Sequence, residues 1–277
     1  MMDNEGTRNL ALTFQLSLDC FLKEESIENE DAALQTAKIY LKQASQYRSQ
    51  AKRYEIAKKT LDACPRCLEA YLIMAAASDN LFQRIRLLKE GMEQATLALG
   101  KQFFLQQIDD FYSIQHSHLY FQIKYSYALS LWEGGYVKKA EQQCREILNL
   151  NPSDYYHVHE LLYAIYLFQE DITSCLTLLK HYQDQSTLSL YFMFLLQMKQ
   201  QKFKAASEMV PLMKEANPYL YEMITHQRIC VGTGVRSMIA GSESEASYIY
   251  LLLYHQWNIQ KGVDIFMIES IEQNNKS

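Results

Sequence analysis

Three observations predict an all-α chain, a solenoid of stacked antiparallel helix pairs. Residues 121–152 read FQIKYSYALSLWEGGYVKKAEQQCREILNLNP. Gly134 and Gly135 break this stretch into two helices, Ala128 and Ala140 are small where the helices must approach, and Pro152 ends the second. Four prolines and nine glycines in 277 residues leave little material for long connections. The pattern also recurs: Ala206 stands twelve residues before Pro218, as Ala140 does before Pro152. One helix pair cannot bury its own apolar face, so such units stack on neighbours.

Taken in order, residues 7–23 carry apolar side chains too densely for a one-sided stripe and read as an N-terminal cap, within a first segment 1–30. Residues 31–63 repeat apolar positions at helical spacing (Leu34, Ala37, Leu41, Ala44, then Tyr54, Ala57, Leu61) and break at SQYRSQ, giving two helices. Pro65 plays the part of Pro152, and residues 69–78 and 81–99 form the next pair. Gly100 closes it, and about 100–118 reads as an aromatic insertion without a clean period. After the 121–152 pair come 154–168 with 171–182, and 186–198 with 202–216. The repeats thus run over 31–218, and 219–277 forms a C-terminal helical cap. Within it Ser242 and Glu245 are spaced as a capping box. The glycine-serine loop before them lacks the third glycine, the lysine and the preceding strand of a phosphate cradle.

The 121–152 unit resembles the tetratricopeptide repeat. Ala128, Gly135, Ala140 and Pro152 match its small, turn and terminating positions, while Lys124 and Leu131 depart from its usual Trp and Tyr. The order of segments from about 50 to 270 is also similar to a group of bacterial and plant tetratricopeptide proteins without a settled activity, through Pro65–Ala76, Phe103–Asp110, Tyr127–Pro152 and Gly241–Trp257. The resemblance implies a binding scaffold and brings no catalytic residues.

The formal charge of -5 is mild, and basic pairs such as Lys138-Lys139 or Arg84 with Arg86 read as solvated helix faces, so a nucleic-acid surface is not expected. No apolar run approaches the roughly 20 residues of a membrane span. Six dispersed cysteines in a chain large enough to form a core suggest reduced thiols and a cytoplasmic protein.

Candidate chemistry is sparse. Cys64 and Cys67 form a CxxC without a second ligand pair, and read as two small buried residues at a helix start. His157 and His159 before Glu160 are the types that metals favour, but residues two apart on a helix diverge. Asp109, Asp110, His116 and His118 in the insertion are the alternative, a metal-dependent enzyme or metal-binding protein. The polar tail IESIEQNNKS loosely resembles translocation signals, so a translocated bacterial effector is a further alternative. The leading expectation has no catalytic residue, cofactor or metal. It is a non-enzymatic protein- or peptide-binding adaptor.

Twenty tyrosines support it. In a tetratricopeptide array the first helix of each pair lines the concave side. By that resemblance Gln122, Tyr125, Leu129 and Trp132, then Leu161, Ile165 and Phe168, then Tyr191 and Leu195 face a groove. Tyrosine offers large contact area with little rotamer entropy. Relatives that clamp acidic tails use Lys and Asn on those helices. Tyr125 and Leu129 stand there instead, so an apolar or helical partner segment is expected.

Overall fold

The structure, a computed structural model, describes residues 32–47, 49–104, 117–183, 185–230, 239–259 and 262–274. All regular structure among them is helical: α1 (Ala32–Gln46), α2 (Gln50–Ala63), α3 (Leu68–Ala76), α4 (Leu81–Phe103), α5 (Ser117–Glu133), α6 (Val137–Leu150), α7 (Val158–Gln169), α8 (Ile172–Tyr182), α9 (Thr187–Lys199), α10 (Phe203–Ala216), α11 (Pro218–Ile224), α12 (Glu243–Leu252), α13 (Tyr254–Ile259) and α14 (Val263–Asn274). The N-terminal cap segment and most of the 100–118 insertion lie outside the described residues. The chain divides into two compact units, within 11–158 and 159–277.

In the first unit each helix from α1 to α6 packs on the next, and α3 also touches α5. The two members of a pair bury differently. Fourteen side chains of α5 are buried, from Ser117 round to Trp132, whereas α6 buries only Ala140, Cys144 and Ile147. A helix apolar on all faces must be enclosed, and one with a single stripe lies against it with its other face in water. Tyr71 on α3 meets α4 where only glycine fits: a Cβ on Gly91 would stand 2.9 Å from the Tyr71 Cβ.

Two charged side chains enter this interior. Arg84, expected on a solvated face, is buried and pairs with Glu133 at the end of α5 at 2.5 Å, while Arg86 remains exposed. A buried guanidinium is tolerated only with such a partner. Burial pushes the Glu133 carboxyl up to about 7 against the opposing pull of Arg84. Lys124, where tetratricopeptide repeats usually have Trp, lays its stem through the α5–α6 contact and reaches Glu146 at 2.6 Å.

In the second unit α9 repeats the character of α5, with Leu188, Tyr191, Phe192, Phe194, Leu195 and Leu196 buried, and α10 that of α6, with Ala206, Val210 and Met213. Tyr163 on α7 stacks on Phe192 of α9 with centroids 4.4 Å apart. Beyond α10, α11 packs on α12, and α14 returns to α10.

The turns inside three pairs share one geometry. Gly135, Glu170 and Gln201 take positive φ of 74°, 58° and 59°. At each, the amide bonds to the carbonyl three residues back, and the following amide to the carbonyl five back: Tyr136 to Leu131 at 2.8 Å, Asp171 to Tyr166 at 3.0 Å and Lys202 to Gln197 at 2.9 Å. This left-handed closure satisfies the last carbonyls of the first helix and reverses the chain. Five residues after each turn a small side chain, Ala140, Cys175 or Ala206, is fully buried. The far ends of three pairs match too. Cys64, Asn151 and Asn217 are extended, each donates its amide to the carbonyl four residues back, and each precedes a proline.

Candidate binding surface

In the second unit, α7 from His159 onward and α9 present a row of side chains to the C-terminal helices. The Tyr248 hydroxyl on α12 donates to the Glu160 carboxylate at 2.6 Å. The His255 ring on α13 meets Phe168 edge-on, with centroids 5.7 Å apart, and Trp257 meets Tyr191 at 6.4 Å and 87°. On α14, Phe266 lies 6.2 Å from Phe194. Aromatic pairs favour such edge-to-face and tilted geometries because the positive ring edge meets a negative face. Phe168 and Tyr191, two of the expected groove residues, are thus in contact with the chain's own C-terminal segment.

The segment is held at its entry. Ser242 caps α12 by accepting the Glu245 amide, but the returning half of the capping box is redirected. The Glu245 carboxylate accepts from the Gly241 amide at 2.8 Å and from the Asn217 side chain at 2.9 Å. Asn217 therefore ties the start of α12 to the end of α10, and its side-chain Oδ1 caps α11 by accepting the Leu220 amide. Arg228 adds a clamp to Glu222 at 2.8 Å and Glu243 at 3.0 Å.

The anchor on the other side is Tyr191. It is fully buried, and its hydroxyl donates to the Met213 carbonyl at 3.1 Å, so burial raises its ionisation far above the ordinary phenol range. Trp257 directs its indole N–H to the Tyr250 carbonyl at 3.1 Å. Burial lowers the His255 pKa, because the ring is desolvated against this surface.

The other expected groove residues are enclosed as well. Leu161, Ile165 and Leu195 have no exposed surface, and in the first unit Gln122, Tyr125, Leu129 and Trp132 are buried on α5. Phe168 is half-buried. Glu160, Tyr248, His255 and Trp257 were not singled out from sequence as a contact set. No local spacing joins them, since Tyr248 and His255 stand on separate helices and Glu160 lies 88 residues from Tyr248.

The remaining candidates sit as follows. Cys64 and Cys67 are buried, and Cys67 precedes α3 with burial and Glu69 raising its thiol pKa, an environment that suppresses the reactive thiolate. Asp109, Asp110 and His116 lie outside the described residues. His157 is not helical: its φ is +51°, so the divergence expected of residues two apart on a helix does not apply. His157, His159 and Glu160 bring their donor atoms within 4.8 Å of one another. Other engagements compete for this cluster, since Glu160 takes the Tyr248 hydroxyl and the His159 ring stacks on Tyr182 at 4.0 Å.

No helix among the described residues is long and apolar enough to cross a membrane. No protein-family profile, curated protein or solved structure matches this chain.

Proposed function

We propose that this chain is a non-enzymatic helical-repeat adaptor of tetratricopeptide type, which binds a protein or peptide through the face of α7 and α9. The reading is supported by the three matching hairpin turns and, above all, by one contact set. Glu160, Phe168 and Tyr191 already receive a helical segment through a hydroxyl–carboxylate bond and two aromatic edge contacts. A surface that accepts a helix from its own chain has the shape and chemistry to accept one from another. Apolar and aromatic side chains dominate it, which favours an amphipathic helix over an acidic tail. The working compartment in this reading is the cytoplasm, in keeping with free thiols at Cys64, Cys67, Cys144, Cys175 and Cys230.

The test is a photo-crosslinking amino acid in place of Phe168, irradiated in the native cell, with the joined peptides identified by mass spectrometry. The expected product is a recurring apolar helical segment of one other protein. Crosslinks confined to residues 243–274, to a second copy of this chain, or scattered over many abundant proteins would remove the adaptor reading.

A further inference from the structure

A cluster at the start of α7 has chemistry that the adaptor reading neither uses nor needs. His157, His159 and Glu160 bring one donor atom each within 4.8 Å of one another, and they are the one such group of three among the described residues. All three fall within four consecutive residues, so the dihedral angles of that run alone set their spacing. Asp154 shapes the run. The His157 amide donates to the Asp154 carbonyl at 2.9 Å, and the Asp154 carboxylate accepts the Val158 amide at 2.7 Å. This turn holds His157 at φ of +51°, a left-handed conformation uncommon outside glycine, and brings its imidazole to the side of His159 and Glu160.

The geometry points to a binding site for a divalent transition ion, zinc above all, held by His157, His159 and Glu160 with water completing the coordination. Two imidazoles and one carboxylate suit zinc and its neighbours, whereas magnesium and calcium take oxygen ligands. Zinc binds such nitrogen and oxygen donors at about 2.0–2.2 Å, so its ligands stand at most about 4.4 Å apart. Closing from 4.8 Å takes a small rotation, which the exposed His157 side chain can supply. The other engagements compete only in part. His159 stacks on Tyr182 through its ring face, at 4.0 Å and 14°, while a metal is bound through a lone pair in the ring plane. Glu160 accepts the Tyr248 hydroxyl on one oxygen at 2.6 Å, and a carboxylate has acceptor sites on both oxygens; hydrogen bonds of this kind orient a ligating carboxylate. The amino end of α7 carries partial positive charge, which the carboxylates of Asp154 and Glu160 offset.

The experiment titrates the full chain, untagged and stripped with a chelator, with Zn²⁺ in a calorimeter. About one ion per chain is expected to bind, in strong preference to Mg²⁺. His157→Asn removes an exposed imidazole and keeps a residue type that tolerates positive φ. Glu160→Gln removes the charge and leaves an amide oxygen to accept the Tyr248 hydroxyl, and His159→Phe keeps a ring on Tyr182. Each should weaken Zn²⁺ binding at least about tenfold, since losing a group that merely orients a ligand already costs that much. Nitrogen NMR should show zinc shifting the ring nitrogens of His157 and His159.

Should His159→Phe lose its helical signal, the exposed His157→Asn decides alone. No saturable Zn²⁺ binding by the wild type, or wild-type affinity in folded His157→Asn or Glu160→Gln, overturns the site. Zinc shifts confined to other histidines would mean an adventitious ion only, and equal affinity for Mg²⁺ would overturn the ligand set.

Discussion

Gln201→Gly should stabilise this protein, a gain that no lost or added contact would suggest. Gln201 closes the α9–α10 turn with φ of 59°, and its side chain is exposed. A non-glycine residue in the left-handed region is disfavoured by about 1–2 kcal/mol through its Cβ. Glycine removes that strain but adds about 0.5–1 kcal/mol of unfolded-state entropy to be lost on folding. The difference is a net gain of about 0–1.5 kcal/mol, with a midpoint of about 0.75 kcal/mol. At that midpoint the rise in Tm is about 1.5–3 °C for a chain of this size. The two turn hydrogen bonds, Gln201 to Met198 and Lys202 to Gln197, are backbone bonds and persist in the variant. Gly135→Ala is the mirror experiment. Gly135 has φ of 74° and nothing within 4 Å of where a Cβ would stand, so its loss of about 1 kcal/mol reports backbone strain without a clash. Urea unfolding followed by circular dichroism at the helix band measures both. If Gln201→Gly lowers the midpoint and Gly135→Ala leaves it unchanged, the left-handed closure is not what reverses the chain at these turns.

The Glu133 carboxyl titrates near 7 in the folded chain against an ordinary value of 4.5, so the folded state holds its proton more tightly between those values. Stability from this group is therefore largest below about pH 4.5 and falls as pH rises towards 7. Relative to Glu133→Gln, the wild type should lose stability across that window in urea midpoints taken at several pH values, and a rising difference would contradict the burial argument. Gly91→Ala gains about 1 kcal/mol of helix propensity but drives a methyl into the Tyr71 Cβ, a contact that no rotamer relieves. Overpacking of about 1–3 kcal/mol outweighs the gain, so a lower thermal midpoint is expected, and a higher one would show that α3 and α4 separate freely.

The helix pairs were legible because their signals are local. Gly135 permits a left-handed turn at no Cβ cost, Pro152 and Pro218 push the preceding asparagines out of the helix, and Ala140 and Ala206 mark close approach within a few residues of each turn. The break at SQYRSQ corresponds to the gap between α1 and α2, and Gly100, with φ of 74°, kinks α4 three residues before its end at Phe103. Glu170 and Gln201 carried no such mark, since neither residue type announces a positive φ; packing of the following helix imposes it. Arg84 was misplaced for a related reason. A charge beside Arg86 looks solvated until Glu133, forty-nine residues away, is brought beside it.

Helix content, the pairing of successive helices and the glycine-marked reversal at Gly135 were set by the sequence itself, because each follows from spacing within one or two helical turns. Tertiary structure alone decided where the aromatic side chains end. Tyr191 and Phe168 look inward on any helical wheel, yet whether they meet solvent, a partner or Trp257 and His255 depends on a segment about 60 to 90 residues further along. Long-range packing is a competition among all surfaces the chain can bring together. No local pattern encodes which helix wins the α7–α9 face.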